Sequence, residues 1–488
     1  MVSVHSIRIF LFAVFMQLAL QSCVVVPVGG GPDFEKLPDK YSRLIVYLHL
    51  EGGTGADTVF SLNDLTLVGQ SLDENAGDVI HKVISTPMEI SSSRLEDGQV
   101  KVGEIIVTPG KYDSLKLSYS DARIEKAGGS VVSLDVGEGS INLEEALTLE
   151  NKESRVLLLG WNARSSRVKG TNFDPDIKIV KKGPVSKDIA VFVSNSGSNY
   201  ITVIDRDLQM VVGAVTVGRG PMGMALNYSS GYLYVVNSVD STVSVLNMQN
   251  YEVLSTIDVS AYSPNPIECV YVPSDVNTFE GKVFVIGDSS EVAVIDTESA
   301  STIGIIDAGI RPVSIVVDGT RKELYVASKV SRAVGILSAV TDRESEVINL
   351  PQSPSGLALW GDNIYAFSAE GGSIVVVSKS SRSVVKNLFP LVITDRGIVT
   401  DDGEIYGIGK DSGKVSVLDD FGNSIAEIET GREPTFAAWD GLNRMVYVVN
   451  SGDNSVSIVD TIKRSLVVSL DVGSRPYAVA VSGEYGEK

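Results

Sequence analysis

From residue 188 onward the chain repeats itself, and that period constrains the fold more than any single residue does. Val191-Phe192-Val193-Ser194-Asn195-Ser196-Gly197-Ser198-Asn199, ending at Ile204-Asp205, overlays Val446-Tyr447-Val448-Val449-Asn450-Ser451-Gly452-Asp453-Asn454, ending at Val459-Asp460, without insertion. Tyr234-Val235-Val236-Asn237-Ser238, ending at Leu246-Asn247, is a third copy. Each unit continues into an apolar outer segment such as Val211–Val217 or Leu466–Leu470, then a Gly/Pro turn. New units start near Pro221, Pro266, Pro312, Pro354, Asp395, Pro434 and Pro476. Seven starts about 40 to 46 residues apart fit the four-strand blades of a propeller.

The order of the pieces predicts how the ring closes. The first unit opens at Ile189-Ala190-Val191-Phe192 with no Pro-initiated strand before it, whereas the chain finishes on Pro476-Tyr477-Ala478-Val479-Ala480-Val481-Ser482. The last strand is therefore expected to become the innermost strand of the first blade, which removes a free edge.

Residues 42–180 alternate in strand fashion, in Leu44–Leu50, Phe60–Leu62, Leu65–Val68, Val102–Val107 and Ser114–Tyr119, with Gly, Asp and Ser turns between them. The expected class is all-β: a seven-bladed β-propeller over 187–488, preceded by a small antiparallel β-sandwich over 42–180. Lys181–Lys187 reads as a short linker between them. The 46 glycines and the abundance of Val, Ile, Ser and Thr agree with short strands and tight turns.

At the N-terminus Arg8 precedes the apolar run Ile9–Leu20, which is too short to cross a bilayer comfortably and reads as an export signal over 1–22. It ends in Leu20-Gln21-Ser22-Cys23, which resembles the bacterial lipobox, although Gln21 is bulkier than the usual occupant. That resemblance implies lipidation at Cys23, a membrane partner through the lipid, and a place in the cell envelope, at the outer membrane or cell surface. Residues 23–41, rich in Gly, Pro and Val, read as a flexible tether. Cys269 lies in a strand-like stretch and is expected to be a small buried apolar residue, not half of a disulfide.

The recurring Tyr234-Val235-Val236-Asn237 and Tyr447-Val448-Val449-Asn450, with the looser Phe192-Val193-Ser194-Asn195, resemble the YVTN-type propeller repeats. Gly287, Ser328, Ser368 and Gly409 replace the Asn in the middle units, so no role of that Asn is sevenfold. Such propellers look like exported or surface-layer proteins whose chemistry varies or is absent. Val107–Leu117, with Pro109-Gly110-Lys111-Tyr112, resembles the Pro-Gly-x-Tyr motif of prealbumin-like domains in bacterial surface lipoproteins, which implies a structural or adhesive module.

The formal charge is −20, and because residues 1–22 hold one base and no acid, the mature chain is one unit more negative. Nucleic acid is not an expected partner, since phosphate binding needs a concentrated basic face. His5 belongs to the signal, leaving His49 and His81, both outside the propeller. No His-based metal centre or Ser-His-Asp arrangement is expected there, and no haem or phosphate-loop motif occurs, so neither a catalytic residue nor a cofactor is assigned. Asp205, Asp296 and Asp460 recur at one repeat position, which points to turn formation. The acidic loop Asn172–Asp176 lacks the ligand spacing of an EF-hand.

Loops entering the innermost strands carry Arg219, Arg311, Arg432 and Arg475, with Arg396 near the equivalent place in a fifth. Two readings of these arginines stand side by side: hydrogen bonding that fixes blade packing, or an upper-face site for a carboxylate, phosphate or acidic sugar. The function expected first is a non-catalytic binding or interaction scaffold whose upper face takes a protein, glycan or anionic small molecule. The alternative is an envelope enzyme of lactonase-like or quinone-linked dehydrogenase type with its site at the channel mouth.

Overall fold

In the computed structural model, the described residues are 37–483 apart from 54–55, 73–77, 97, 138, 167–170, 275–280, 310, 371 and 391–392. Cys23 and the signal segment lie outside them. Residues 190–481 form seven four-stranded antiparallel sheets. The inner strands are Pro476–Val481, Pro221–Asn227, Glu268–Val272, Pro312–Asp318, Gly356–Trp360, Arg396–Val399 and Pro434–Asp440 for blades 1 to 7. These begin within two residues of the positions expected from the repeat, and each touches the inner strand of the next blade around the ring.

Blade 1 is built from both ends of the propeller. Pro476–Val481 pairs antiparallel with Ala190–Asn195, matching Val481 to Val191 and Val479 to Val193. Arg206 secures this closure. Its side chain, 5% exposed, reaches Asp440 of blade 7 at 3.4 Å, the Ser482 carbonyl at 3.2 Å and the Asp188 carbonyl at 2.9 Å. Other blades are joined the same way: Lys282 of blade 3 to Asp342 of blade 4 at 2.7 Å, and Lys379 of blade 5 to Asp318 of blade 4 at 2.7 Å.

The Asn repeat explains itself at this level. Asn195, Asn237 and Asn450 are fully buried at the ends of their strands. Their amides donate across the hairpin, Asn237 to Thr242 at 3.0 Å and Ser244 at 2.9 Å, Asn450 to Ser457 at 2.9 Å. The loop entering the inner strand passes directly over them, and a Cβ on Gly218, Gly431 or Gly473 would fall 2.5 to 2.7 Å from the Asn Cγ. Gly before and Asn after are thus one packing unit within a blade. Asp205, Asp296 and Asp460 likewise accept from turn amides, at 3.0, 2.7 and 2.8 Å.

Ahead of the propeller, a four-stranded and a six-stranded sheet enclose their own core. The sandwich departs from the expected antiparallel pattern at two places among the described residues: Ser42–Gly52 runs parallel to Ser154–Asn162, and the short strand Asn172–Phe173 runs parallel to Asp135–Val136. Phe60–Leu62 and Leu65–Val68 also merge into one strand, Asp57–Ser71. The near-continuous apolar run Leu44–Leu48 is buried on both faces. Leu44, Val46 and Leu48 fill the sandwich core, while Ile45 and Tyr47 join the core of blades 1 and 7.

That shared face carries a buried polar network. Arg43 lies 3.1 Å from Glu104, donates to the Ser198 carbonyl at 2.6 Å and stacks 4.8 Å from the Tyr200 ring. Lys101 donates to Glu104 at 2.6 Å and to the Val472 carbonyl at 3.1 Å, Tyr200 donates to Glu104 at 3.2 Å, and Tyr47 donates to the Asp471 carbonyl at 2.9 Å. Burial works to raise the Glu104 carboxyl, but Lys101 and Arg43 outweigh it and hold it below its ordinary value.

Ending the chain before Pro476 leaves the inner edge of Ala190–Asn195 unpaired, so urea denaturation of that truncation is expected to show loss of the whole propeller transition, not a local change. A depressed carboxyl stabilises the fold above its unfolded pKa and loses that contribution as pH falls through the folded value. Glu104→Gln is therefore expected to cost about 3 kcal/mol at pH 7 by leaving Arg43 unpaired. In denaturation series at decreasing pH, the gap between the two proteins should narrow toward the acid end.

Candidate functional site: the propeller channel and its two faces

The five arginines of the sequence reading divide by position. Arg219 and Arg432 stand two residues before the inner-strand Pro, and each turns back to the Asp of its own blade's second loop: Arg219 Nε to Asp240 at 2.6 Å, Arg432 Nε to Asp453 at 2.5 Å. Arg475 and Arg311 stand immediately before the Pro with positive φ of 47° and 59°. The Arg475 backbone bridges blades 7 and 1, its amide donating to Asn454 at 2.8 Å and its carbonyl accepting from the Ser196 amide at 3.0 Å.

Arg396 points into the channel. From blade 6 it reaches across to Glu268 of blade 3, forming a short ion pair, and donates to the Val313 carbonyl of blade 4 at 3.0 Å. The second oxygen of Glu268 accepts from the Ile315 amide at 2.9 Å. Glu268 is 7% exposed and Arg396 19%. Burial opposes the charge on Arg396, yet Glu268 holds the guanidinium pKa above its ordinary value. Phe436 lies 5.8 Å from that guanidinium. Gly356 and Gly223 make the crossing possible, since a Cβ on either would come within 2.8 Å of Arg396 Cγ or 2.6 Å of Glu268 Cα.

This pair partitions the axis. On the upper face, where inner strands begin, a recess of about 540 Å³ lies between blades 3, 4 and 5, lined by Ile267, Asp288, Arg311, Lys329, Arg332 and Glu370 among others. Lys329 is 3.9 Å from Glu370, and Asp288 accepts from Asn265 at 3.2 Å. The backbone carbonyls of Arg311 and Arg332 accept from the Lys329 and Leu350 amides at 3.2 and 2.7 Å, but neither guanidinium has a hydrogen-bond or ion-pair partner among the described residues. Arg332 was missed in the sequence because it is not in a loop that enters an inner strand; it lies in the turn between Glu323–Ser328 and Ala333–Ser338 of the same blade, a turn held to the Arg311 loop by the Lys329 amide, which donates to the Arg311 carbonyl at 3.2 Å.

On the other side the channel widens into a cavity of about 1050 Å³ that opens at the lower face. Trp360 and Trp439 stand at its mouth, both donating to Asp401 at 3.3 Å, one to the carbonyl and one to the carboxylate. Where blades 4 and 5 meet, Lys379 pairs with Asp318 and Arg321 with Asp362 at 2.8 Å. Hydrogen bonds from the Ser380 and Ser378 hydroxyls hold the Asp362 carboxyl down to about 2. Burial works to raise Asp318, but Lys379 outweighs it and keeps that carboxyl below its ordinary value.

His49 and His81 lie in the sandwich, as expected, and burial lowers both imidazoles. Cys269 is buried and burial pushes its thiol far up, as befits an apolar packing residue. Among the described residues, no three His, Cys, Asp or Glu side chains gather as a metal site.

Replacing Glu268 by Gln leaves Arg396 buried and unpaired, an expected cost of about 3 kcal/mol in urea denaturation, and the double variant Glu268→Gln/Arg396→Met should recover most of it.

No family model matches the chain, and no curated protein matches it in sequence. Among solved structures, dihydro-heme d1 dehydrogenase NirN in complex with DHE aligns with a TM-score of 0.47 at 14% identity, covering 60% of this chain and 66% of that one. A functionally unknown protein from Desulfotomaculum acetoxidans DSM 771 aligns with a TM-score of 0.51 at 10% identity, covering 60% of this chain and 99% of that one. At these identities the likeness concerns the fold alone, which the seven sheets state independently: the chain carries a β-propeller.

Proposed function

We propose that this protein is an exported lipoprotein of the cell envelope, anchored through Cys23, with a YVTN-type propeller that serves as a non-catalytic binding scaffold. Its ligand carries a carboxylate, a phosphate or an acidic sugar and docks in the upper-face recess. One observation carries this reading: the Arg311 and Arg332 side chains border that recess with no partner among the described residues, whereas those of Arg219, Arg432 and Arg396 are each tied to a carboxylate. A pair of guanidinium forks over one hollow suits bidentate recognition of an oxyanion.

The scaffold reading draws support from the acids around the axis. Glu268, Asp318, Asp362 and Asp401 all hold hydrogen bonds that join blades or build turns. Carboxylates so engaged are structural ties, and taking up a proton on any of them would weaken its tie.

The test is a thermal-shift titration of residues 37–488 with phosphate, dicarboxylates and glucuronate, since a ligand of the folded state raises its melting temperature. A saturable rise that Arg311→Ala and Arg332→Ala each abolish, and that Arg432→Ala leaves in place, is the expected result. A rise equal in all variants, or none with any anion, overturns the assignment of the recess. Independently, Cys23→Ser in the full chain is expected to move the protein from the membrane fraction to the soluble one.

A further inference from the structure

The lower cavity has features that the upper recess lacks, and they select a different ligand. Its wall between floor and mouth is made of half-buried apolar side chains, among them Met224, Leu226, Val270, Val316, Ile398 and Ala480. Its floor is the Arg396–Glu268 pair, and aromatic rings, Phe436 near the floor and Tyr271, Trp360 and Trp439 toward the mouth, border it from end to end. Each cation lining it already has a carboxylate, Arg396 with Glu268, Lys379 with Asp318 and Arg321 with Asp362, and the further carboxylate, Asp401, lies at the mouth and accepts from Trp439. An anion entering here would leave water without gaining a free counter-charge, and a cation would gain none deeper than Asp401 at the mouth, which is costly; an uncharged apolar molecule loses only its hydrophobic hydration, which is favourable.

The dimensions narrow the class further. From floor to mouth the wall spans about five inner-strand residues, or about 15 Å at the strand rise. Dividing the cavity volume of about 1050 Å³ by that depth gives a mean cross-section of about 70 Å², a width of roughly 9 Å. That is broader than one extended hydrocarbon chain fills, and a flat ring system entering lengthwise meets aromatic faces along the way. The volume lies at the top of the range for sites that enclose small ligands.

We propose that the lower channel is a blind binding site for an uncharged, ring-bearing apolar molecule, seated on the Arg396–Glu268 floor with the Trp360–Trp439 pair beside its outer end. The site is independent of the upper recess, because the floor separates the two and they share no lining residue.

The probe for this site is N-phenyl-1-naphthylamine, a neutral aromatic fluorophore, titrated into residues 37–488. Saturable binding of one probe per chain is expected, with probe emission also appearing on tryptophan excitation. Of the three tryptophans, Trp161 is buried in the sandwich core and the other two border the cavity, so Trp360→Phe/Trp439→Phe should abolish the sensitised signal. Filling the channel with Ala480→Phe or Ile398→Phe should weaken binding at least tenfold, while Arg311→Ala and Phe421→Ser, the latter at a surface aromatic 68% exposed, should not change it. Non-saturable binding, a sensitised signal that survives the double tryptophan variant, or loss of binding in Phe421→Ser overturns the proposal. Should a filled variant misfold, as circular dichroism would reveal, the double tryptophan variant decides alone, because it adds no volume.

Discussion

The antiparallel pairing of Pro476–Val481 with Ala190–Asn195 is the contact on which the rest of the molecule depends. A propeller blade buries its faces only against its neighbours, so an open ring would expose two blade faces and a strand edge together. Sewing the last strand into the first blade turns seven marginal sheets into one cooperative unit. Arg206 sits where this closure is most vulnerable, tying the segment after the last strand, the segment before the first and the end of blade 7 into one buried cluster.

The sandwich adds to the same region. Its strand Ser42–Gly52 has alternate side chains in two cores, Leu44, Val46 and Leu48 on one side, Ile45 and Tyr47 on the other. Blades 1 and 7, where the two ends of the propeller meet, are thereby covered by a sheet that cannot shift without breaking the Arg43–Glu104–Tyr200 network. The shared face makes the N-terminal part a brace for the ring, and it binds the two parts more closely than the polar segment 181–187 suggests. Buried charge of this kind contributes less net stability than its Coulomb energy, but it sets one register for the interface, since any slip strands a charge.

The channel follows from the ring. Seven inner strands leave a space along the axis, and in this chain Gly356 and Gly223 open enough room for Arg396 and Glu268 to meet across it. The pair floors the lower hollow, whose wall is apolar and whose cations are each matched by a carboxylate, while a separate recess on the upper face between blades 3, 4 and 5 is bordered by the Arg311 and Arg332 guanidinium groups. Function on such a fold is decided by the loops and inner-strand residues that line these hollows.

Much of this was legible in the sequence. The period of the Val-Asn-Ser and Gly-x-Pro segments determined the number of blades, their boundaries to within two residues and the way the ring closes, because strand and turn chemistry is local and repeats with the fold. The same locality explains why Asp205, Asp296 and Asp460 could be read as turn-forming residues. Only the tertiary structure decided what the arginines do. Arg219, Arg311, Arg396, Arg432 and Arg475 look alike in a list of loops, yet a single residue of offset before the Pro separates side chains that turn back to an Asp from those that stand at positive φ. Arg396 meets Glu268 across 128 positions of sequence, and Arg332 reaches the side of Arg311 from another hairpin. The run Leu44–Leu48 could show that it was buried, but what buried its second face was a partner sheet more than a hundred residues away. Contacts of that kind depend on how the blades close in space, and no local pattern encodes them.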